Sequence, residues 1–175
     1  MNNNKRNHNL AVGAIIAALY AALTYAQEML LPGSASAAIQ FRMSEALTVL
    51  ALFTPAAIPG LTVGCAVSNL LFMGALPLDV VLGSLATLLA ALCMYRLRDF
   101  TLKGIPAAAL LMPAVFNGVI IGLEIEIFFI EGPFNFLSFL TQGGCVALGE
   151  LGVLFTLGVL TYKMIKNKKL QKYLK

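Results

Sequence analysis

The chain has 175 residues, of which 59% are hydrophobic and 11% are charged, and its formal net charge is +4. Soluble domains carry about 25% charged residues, so this composition excludes an ordinary water-soluble domain. The sequence contains neither a Walker-type phosphate loop nor a GxGxxG motif, which excludes ATP hydrolysis by this chain alone.

The positions of the basic residues predict how often the chain crosses a membrane. Eleven of the 12 Lys and Arg residues lie among the first few residues, in the 96–103 stretch and in the last thirteen. Basic residues in short loops stay on the cytoplasmic side. We therefore predict an all-α membrane protein, a six-transmembrane-helix bundle with both termini cytoplasmic, in the cell membrane. Five or seven helices would place one cluster outside. The basic ends favour contact with anionic lipid rather than nucleic acid.

The apolar runs give approximate helix bounds, since a spanning helix needs about 20 mainly apolar residues. Pro32-Gly33 ends the first helix, Asp79 begins the fourth, and Pro113 predicts a kink in the fifth. Residues 1–9 form a cytoplasmic N-terminal segment, 10–163 the substrate-binding bundle, and 164–175 a basic cytoplasmic tail. The six predicted helices cover residues 10–31, 41–53, 58–75, 79–95, 106–130 and 136–162.

Two alternatives concern this topology. The short second helix leaves open a re-entrant hairpin formed by segments 41–53 and 58–75. Ala35-Ser36-Ala37 resembles a signal-peptide cleavage site, but the run 10–31 is longer than a signal core, so we expect it to be retained. No internal repeat is evident, which disfavours a paired-repeat secondary transporter.

The acidic residues are distributed in the opposite way to the basic ones. A charge at the centre of a bilayer costs about 2.5–3.5 kcal/mol on insertion scales, so intramembrane charges indicate function. Arg42 and Glu45 are three residues apart and share a helix face. They predict either a ligand site or a salt bridge that fixes the helix start. Seven of the eight acids lie within or between apolar runs: Glu28, Glu45, Asp79, Glu124, Glu126, Glu131 and Glu150.

The fifth and sixth predicted helices carry further polar residues. Asn117 and Glu124 are two turns apart on one face, and Glu150 has no basic residue near it in the sequence. Arg42 is the only internal cation and cannot neutralise Glu45, Glu124 and Glu150 together. The excess of acid predicts a ligand that donates hydrogen bonds or carries positive charge. A proton relay is the alternative.

Other polar and aromatic residues give weaker signals. Gln40 lies one turn from Arg42 and Glu45, and Asn69 lies in the middle of the third helix. We expect Ser84 and Thr87 to bond to their own helix, and Glu126 and Glu131 to be solvated. The outer phenylalanines form either an interfacial belt or a lid over a planar ligand. Interfacial belts favour Trp and Tyr, and this cluster contains only Phe, which favours the lid. They are Phe128, Phe129, Phe134, Phe136 and Phe139.

No metal site is predicted. Cys65, Cys93 and Cys145 lie in apolar runs without CxxC spacing, and His8 is the only histidine. We expect the three cysteines to be buried small hydrophobic residues.

The first helix carries small residues spaced by four, at Ala14, Ala18 and Ala22, with Ala17 and Ala21 beside them. Such spacing lets another helix approach closely in lipid. The spacing alone leaves two interpretations open, packing within the bundle and docking of a separate membrane subunit.

Several segments together resemble the queuosine-precursor transporter (QueT) family over about residues 10–163. The resemblance implies the substrate-binding S component of an energy-coupling factor (ECF) transporter, with an outward-facing pocket capped by the first, third and fifth loops. It implies a membrane coupling subunit and two ATPase subunits as partners, so that ATP is used by the partners and this chain needs no cofactor. The alanine row would then be the docking surface. The resembling segments are Gln40–Thr48, Phe53–Gly60, Asp79, Gly83–Leu88, Asn117, Gly122–Glu124 and Gly149–Glu150.

The substrate implied by the resemblance is a 7-deazaguanine, in its 7-aminomethyl or 7-cyano form. We expect Glu124 and Glu150 to take the guanine edge and the amine, in an order left open. Asn117 and Gln40 would complement ring acceptors, and Arg42 would bond the ring carbonyl or hold Glu45. A stand-alone proton-coupled carrier is the competing interpretation, and a membrane enzyme or assembly factor without a transported ligand is the third.

Overall fold

The computed structural model describes residues 3–34, 39–71 and 77–166. Within these ranges the regular elements are helical, which confirms the all-α prediction, and the six helical segments fit the predicted count. The segments are α1 (Asn3–Leu30), a 3-10 helix (Met43–Leu52), α2 (Ala57–Leu71), α3 (Pro77–Leu97), α4 (Ala107–Phe129) and α5 (Phe136–Lys166).

Four of the segments, α1, α3, α4 and α5, are long and apolar enough to cross a membrane. The other two are shorter. The 10 residues of the 3-10 helix rise about 2.0 Å each and span about 20 Å. The 15 residues of α2 rise 1.5 Å each and span about 22 Å. The described residues of both segments fall short of the roughly 30 Å hydrocarbon core. The 3-10 helix lies at the centre of the bundle, where most of its side chains are buried.

Contacts between helices show the relative directions of α1, the 3-10 helix and α2, and of α4 and α5. The Tyr20 hydroxyl donates to Glu45 Oε1, and Thr24 Oγ1 donates to Ser44 Oγ over 2.6 Å. Because later residues of α1 meet earlier residues of the 3-10 helix, the two segments are antiparallel. The contacts that fix the other directions join Gly13 to Gly60, Ala17 to Gly64, Asn69 to Gly83, Gly118 to Ala147 and Gly122 to Phe139.

Both ends of the described chain lie at one end of this bundle. The rings of Phe53 and Tyr162 have centroids 5.5 Å apart, so the turn after the 3-10 helix meets the last part of α5. The same turn meets the first half of α1, since an added Cβ at Gly13 would lie 3.1 Å from the Ala56 carbonyl oxygen. This arrangement agrees with an even number of crossings. The assignment of that end to the cytoplasm stays a prediction.

Several predicted helix bounds were wrong. Helix α1 begins at Asn3 rather than Leu10, because polar residues can continue a helix beyond the apolar run. The second segment is a 3-10 helix, which apolarity alone does not distinguish from an α-helix. Helix α3 begins at Pro77, and Asp79 lies in its first turn, close to the predicted start.

Other predicted features agree with the structure or lie outside it. Helix α4 is interrupted at Leu111, next to the predicted kink at Pro113. The last helix continues past Tyr162 to Lys166. The described residues do not include the cleavage-like sequence 35–37 or the tail residues 167–175.

The bundle exposes large apolar side chains as well as burying an apolar core that includes Tyr20, Leu61 and Met94. Large apolar side chains such as Leu70, Val81, Leu137 and Leu148 are more than half exposed. Contiguous exposed apolar surface of this kind suits contact with lipid. Polar side chains also lie inside, and the buried ones are Thr24, Gln27, Ser44, Glu45, Thr48, Thr54, Ser68, Asn69, Thr87, Asn117, Glu124, Glu126 and Glu150.

Helices α1 and α2 approach closely because glycines line their contact. An added Cβ at Gly64 would lie 2.8 Å from Tyr20 Cβ and 2.9 Å from the Ala17 carbonyl oxygen. Real Cβ atoms are not tolerated at such distances without backbone movement, so glycine at this position sets the separation of the two helices.

Replacing Gly64 by alanine should therefore destabilise the bundle by about 1–3 kcal/mol through overpacking. The matched control is Gly144→Ala, because Gly144 is also helical but an added Cβ there meets nothing within 4 Å. Thermal unfolding of the detergent-purified variants, followed by circular dichroism, measures the difference. Equal unfolding temperatures for the two variants would contradict this packing.

Candidate functional site

A first polar group gathers around the start of the 3-10 helix. Glu45 is buried and accepts its hydrogen bond from Tyr20 of α1. Arg42 precedes the 3-10 helix, with Nη1 3.8 Å from the Cys65 Sγ of α2. Arg42 also interacts electrostatically with Glu45, so the two residues predicted to share a face lie together. Three separate segments therefore meet at this point.

The same group extends to α4 and α5. Asn117 Nδ2 donates to Glu150 Oε1 over 2.9 Å. Glu150 in turn interacts electrostatically with Glu45 and Arg42. We call Arg42, Glu45, Asn117 and Glu150 the inner group. It joins residues from three parts of the chain, which are the start of the 3-10 helix, α4 and α5.

Gln40 reaches this region through its backbone. An added Cβ at Gly149 would overlap the Gln40 carbonyl oxygen, so only glycine at this point lets the 39–42 segment lie against α5. This contact places the chain leading into the 3-10 helix one residue away from Glu150. The structure thus explains why a glycine flanks the buried acid.

A second group of acidic residues lies where α2, α3 and α4 meet. Asn69 Nδ2 donates to the Asp79 backbone carbonyl over 2.9 Å and ties α2 to the start of α3. The side chains of Asp79 and Glu124 interact with one another. We call these two residues the Asp79–Glu124 pair. Cys65 links the two places, since Asn69 Nδ2 lies 3.9 Å from its Sγ.

The eight predicted site residues therefore occupy two neighbouring places in the bundle. Gln40 contacts the inner group, and Asn69 contacts the Asp79–Glu124 pair. Their roles in ligand binding stay predictions. The structure shows that these eight residues, which come from five segments of the chain, lie close together.

Three carboxyl oxygens in these places have no hydrogen-bond partner among the described residues. They are Glu45 Oε2, Glu124 Oε1 and Glu150 Oε2. The three side chains are 1%, 3% and 2% exposed, respectively. A buried polar group without a partner costs about 1–3 kcal/mol. Each of these three oxygens therefore retains the capacity to accept a further hydrogen bond.

Three polar residues of α1 line the bundle interior although they were not among the predicted site residues. Thr24 and Gln27 follow Tyr20 at positions i+4 and i+7, so the three lie on one face, and all are buried. Gln27 Oε1 accepts from the Met43 backbone N–H over 2.6 Å, and its Nε2 donates to the Phe41 carbonyl oxygen. The amide therefore holds the start of the 3-10 helix. Hydroxyl and amide groups at helical spacing within an apolar run were the available signal.

The prediction that Glu126 is solvated was wrong. Its side chain is 3% exposed, and Oε1 accepts from the Asn135 backbone N–H over 2.9 Å. In a regular α-helix Glu124 and Glu126 would face about 200° apart. The π-helical turn Ile125–Phe129 widens the backbone there, and both residues are buried. Glu131 is exposed, as expected.

The milder candidates behave largely as expected. Ser84 Oγ donates to the Val80 carbonyl over 2.6 Å, and Thr87 Oγ1 donates to the Gly83 carbonyl over 3.0 Å, so both bond within α3. Cys65 is buried, whereas Cys93 and Cys145 are only half-buried, against expectation. They pack partly toward the lipid-facing surface. No group of three potential metal ligands occurs within residues 3–34, 39–71 and 77–166.

The outer phenylalanines form a loose cluster. The Phe139 ring centroid lies 6.2 Å from that of Phe134 and 6.0 Å from that of Phe136. Phe128 and Phe129 are more than half exposed. The role of these residues as a lid stays a prediction.

The alanine row on α1 lies on the outside of the bundle. Ala14, Ala18 and Ala22 are exposed, whereas Ala21 beside them is buried within the bundle. Gly13 and Ala17 instead take the inner positions against α2. The row is exposed beside large apolar side chains such as Ile15 and Leu19, and docking of a partner helix on it stays a prediction.

The sequence profile of the QueT transporter family matches residues 10–167. The chain belongs to this family. It is 34% identical over 161 residues to the "Queuosine precursor transporter QueT" of Lactococcus lactis subsp. cremoris (strain MG1363), covering 86% of this chain and 88% of that protein. No solved structure matches the chain. Family membership and the long apolar helices identify a multi-pass membrane protein of a transporter family.

The hydrogen bond between Tyr20 and Glu45 gives a direct test of the inner group. Tyr20→Phe should destabilise the ligand-free protein by about 1–3 kcal/mol, because a buried carboxyl loses its hydrogen-bond donor. Tyr25→Phe is the control, since Tyr25 lies on the same helix and is half exposed. Thermal unfolding followed by circular dichroism measures both. A Tyr20→Phe variant as stable as the control would contradict the assigned bond.

Proposed function

We propose that this chain is the substrate-binding S component of an ECF-type importer and that it captures a queuosine precursor, a 7-deazaguanine. Membership of the QueT transporter family and the name of the Lactococcus relative support the substrate class. The 7-aminomethyl and 7-cyano forms are the two candidates within that class.

The main support for the proposal is a set of buried carboxyl oxygens that have no hydrogen-bond partner among the described residues. Glu45, Glu124 and Glu150 each present one buried oxygen without a donor among the described residues. A guanine-type edge presents adjacent N–H groups, and a carboxylate that accepts them makes charge-assisted hydrogen bonds. Asn117 adds a carboxamide beside Glu150, suited to a ring carbonyl or ring nitrogen. The donors of the ligand thus complement the acceptors of the site.

Two other features support a role for partner subunits in transport. The chain lacks a Walker-type phosphate loop, so energy from ATP must come from another subunit. The exposed alanine row Ala14, Ala18 and Ala22 provides small side chains on α1 that let a membrane subunit approach closely. We therefore propose a complex with a membrane coupling subunit and two ATPase subunits.

A stand-alone proton-coupled carrier is the second candidate, and the Asp79–Glu124 pair favours it, because two interacting carboxyl groups can share a proton. Vesicles that contain this chain alone distinguish the two functions. The proposed S component gives no ligand uptake without its partners. Uptake driven by a pH gradient would establish the carrier.

Substituting Glu150 tests the binding site. Glu150→Gln should weaken 7-deazaguanine binding by about 1–3 kcal/mol, since the substitution replaces a charged acceptor at a buried hydrogen bond. Isothermal titration calorimetry on the purified protein measures the change. Glu131→Gln serves as the control because Glu131 is an exposed acid. Wild-type affinity in Glu150→Gln would remove this residue from the site.

Substituting Ala18 tests the docking surface. Ala18→Leu should leave calorimetric ligand binding intact but prevent co-purification of the coupling subunit, because a bulky side chain holds the two helices apart. Gly144→Leu is the control, since it also adds bulk at an exposed helical position with nothing within 4 Å of an added Cβ. Co-purification of the partner with both variants would contradict docking at the alanine row.

A further inference from the structure

The segment that leads into the 3-10 helix is extended and carries Arg42 toward the inside of the bundle. Arg42 has φ −111° and ψ 103°, in the β region, where successive side chains point to opposite sides. Phe41 and Met43 are 40% and 38% exposed. Arg42 Nη1 instead lies 3.8 Å from the Sγ of Cys65, which is buried in α2. The conformation of this segment therefore determines where the guanidinium group lies.

A single side chain of α1 takes the place that a neighbouring strand would have beside this segment. Among the described residues no β-strand pairs with it. The carboxamide of Gln27 accepts from the Met43 backbone N–H at Oε1 over 2.6 Å, and its Nε2 donates to the Phe41 carbonyl oxygen. The same Nε2 donates to Ser34 Oγ over 2.8 Å. The peptide groups on both sides of Arg42 are thus bonded to one amide.

The same segment also lies against α5. An added Cβ at Gly149 would overlap the Gln40 carbonyl oxygen and lie 3.1 Å from the Gln40 backbone nitrogen. The segment is therefore held by two different helices, by Gly149 at residue 40 and by Gln27 at residues 41 and 43. Because Glu150 follows Gly149 in α5, these contacts also fix Arg42 relative to the other members of the inner group.

The chemistry of a carboxamide matches what the segment requires, which is one donor and one acceptor side by side. Glutamine offers two N–H donors and a carbonyl acceptor, whereas glutamate offers acceptors alone. Methionine has a similar length but only a weak acceptor. Gln27 is 3% exposed, so water does not replace the bonds that such a substitution removes. The identity of residue 27 therefore affects the position of Arg42.

We propose that Gln27 is a positioning residue for ligand binding, which holds the extended segment so that the Arg42 guanidinium donates to the ring carbonyl of the ligand. This inference rests on the proposed capture of a 7-deazaguanine. A guanidinium group has five N–H donors, so Arg42 bonds to the ring carbonyl while it keeps its contacts within the protein. Because the segment is held before the ligand arrives, binding does not include the entropic cost of ordering it.

Calorimetric titration of purified variants with 7-deazaguanine tests this role. Gln27→Met should weaken binding about tenfold, because ordering the segment becomes a cost of binding. The matched control is Thr24→Val, which removes another buried hydrogen bond between α1 and the 3-10 helix, that of Thr24 Oγ1 to Ser44 Oγ. The control leaves the peptide groups beside Arg42 bonded, so its affinity should stay within about twofold of the wild type. Unfolding followed by circular dichroism shows which variants are folded.

A double-mutant cycle distinguishes positioning of Arg42 from a general loss of packing. Arg42→Lys keeps the positive charge but lacks the planar fork of the guanidinium. In that background Gln27→Met should weaken binding only about threefold or less, since part of its effect acts through Arg42. Gln27→Asn keeps both groups of the carboxamide on a shorter side chain, and its affinity should lie between those of the wild type and Gln27→Met. It replaces Gln27→Met in the test where that variant does not fold.

The contrary outcomes are distinct. Wild-type affinity in the folded Gln27 variant, or an equal loss of affinity in Thr24→Val, would overturn the positioning role. The same fold-change in both backgrounds, or unaltered affinity in Arg42→Lys, would overturn the action through Arg42 and the proposal with it. Loss of measurable binding in Arg42→Lys alone would support its contact with the ligand, and the comparison with Thr24→Val then decides. Failure of the folded wild-type protein to bind 7-deazaguanine would overturn the proposed function itself, which the other outcomes leave intact.

Discussion

Burial of carboxyl groups inside a lipid-facing bundle is the constraint on which the remaining features depend. Glu45, Glu124 and Glu150 are almost fully removed from solvent, while apolar side chains cover the outside of the helices. Taking a charge out of water is costly unless it gains partners. The protein supplies some of those partners, Tyr20 for Glu45 and Asn117 for Glu150, and one oxygen of each acid has no hydrogen-bond partner within the described part of the chain. This partial satisfaction favours a ligand-binding role over a purely structural one.

The helical framework is arranged so that these acids meet. Close contact between α1 and α2 at Gly64 positions Tyr20, which faces Glu45 of the 3-10 helix. The glycine at position 149 admits the Gln40 backbone and places the segment before the 3-10 helix beside Glu150. The 3-10 helix occupies the centre because its start is held by Gln27. Glycines and buried amides thus convert separate helices into one site.

The parts of this arrangement that follow from single-helix patterns were predictable from the sequence. Hydropathy located the long helices, and the seven-residue spacing placed Asn117 and Glu124 on one face of α4. Charge counting identified Arg42, Glu45 and Glu150 as residues that need partners. Each of these inferences uses information that lies within one segment of the chain.

The parts that depend on packing or on irregular backbone were not predictable. Apolarity does not distinguish a 3-10 helix from an α-helix, and the π-helical turn that accompanies the burial of Glu126 has no simple sequence signal. Glu150 and Asn117 are 33 residues apart, and single-sequence periodicity carries no information about such pairs. The separation of the acids into an inner group and an Asp79–Glu124 pair became apparent only from the three-dimensional contacts.

The central claim is that the purified protein, without partner subunits, binds a 7-deazaguanine whose N–H groups donate hydrogen bonds to its buried carboxyl groups. Thermal unfolding in detergent, with and without the ligand, tests this most directly, because a ligand that binds only the folded state stabilises it by about 2.7 kcal/mol at a hundredfold excess over Kd. The account predicts a saturable rise in unfolding temperature with a 7-deazaguanine and none with a purine that lacks the guanine edge, such as adenine. An unchanged unfolding temperature at millimolar 7-deazaguanine would contradict it.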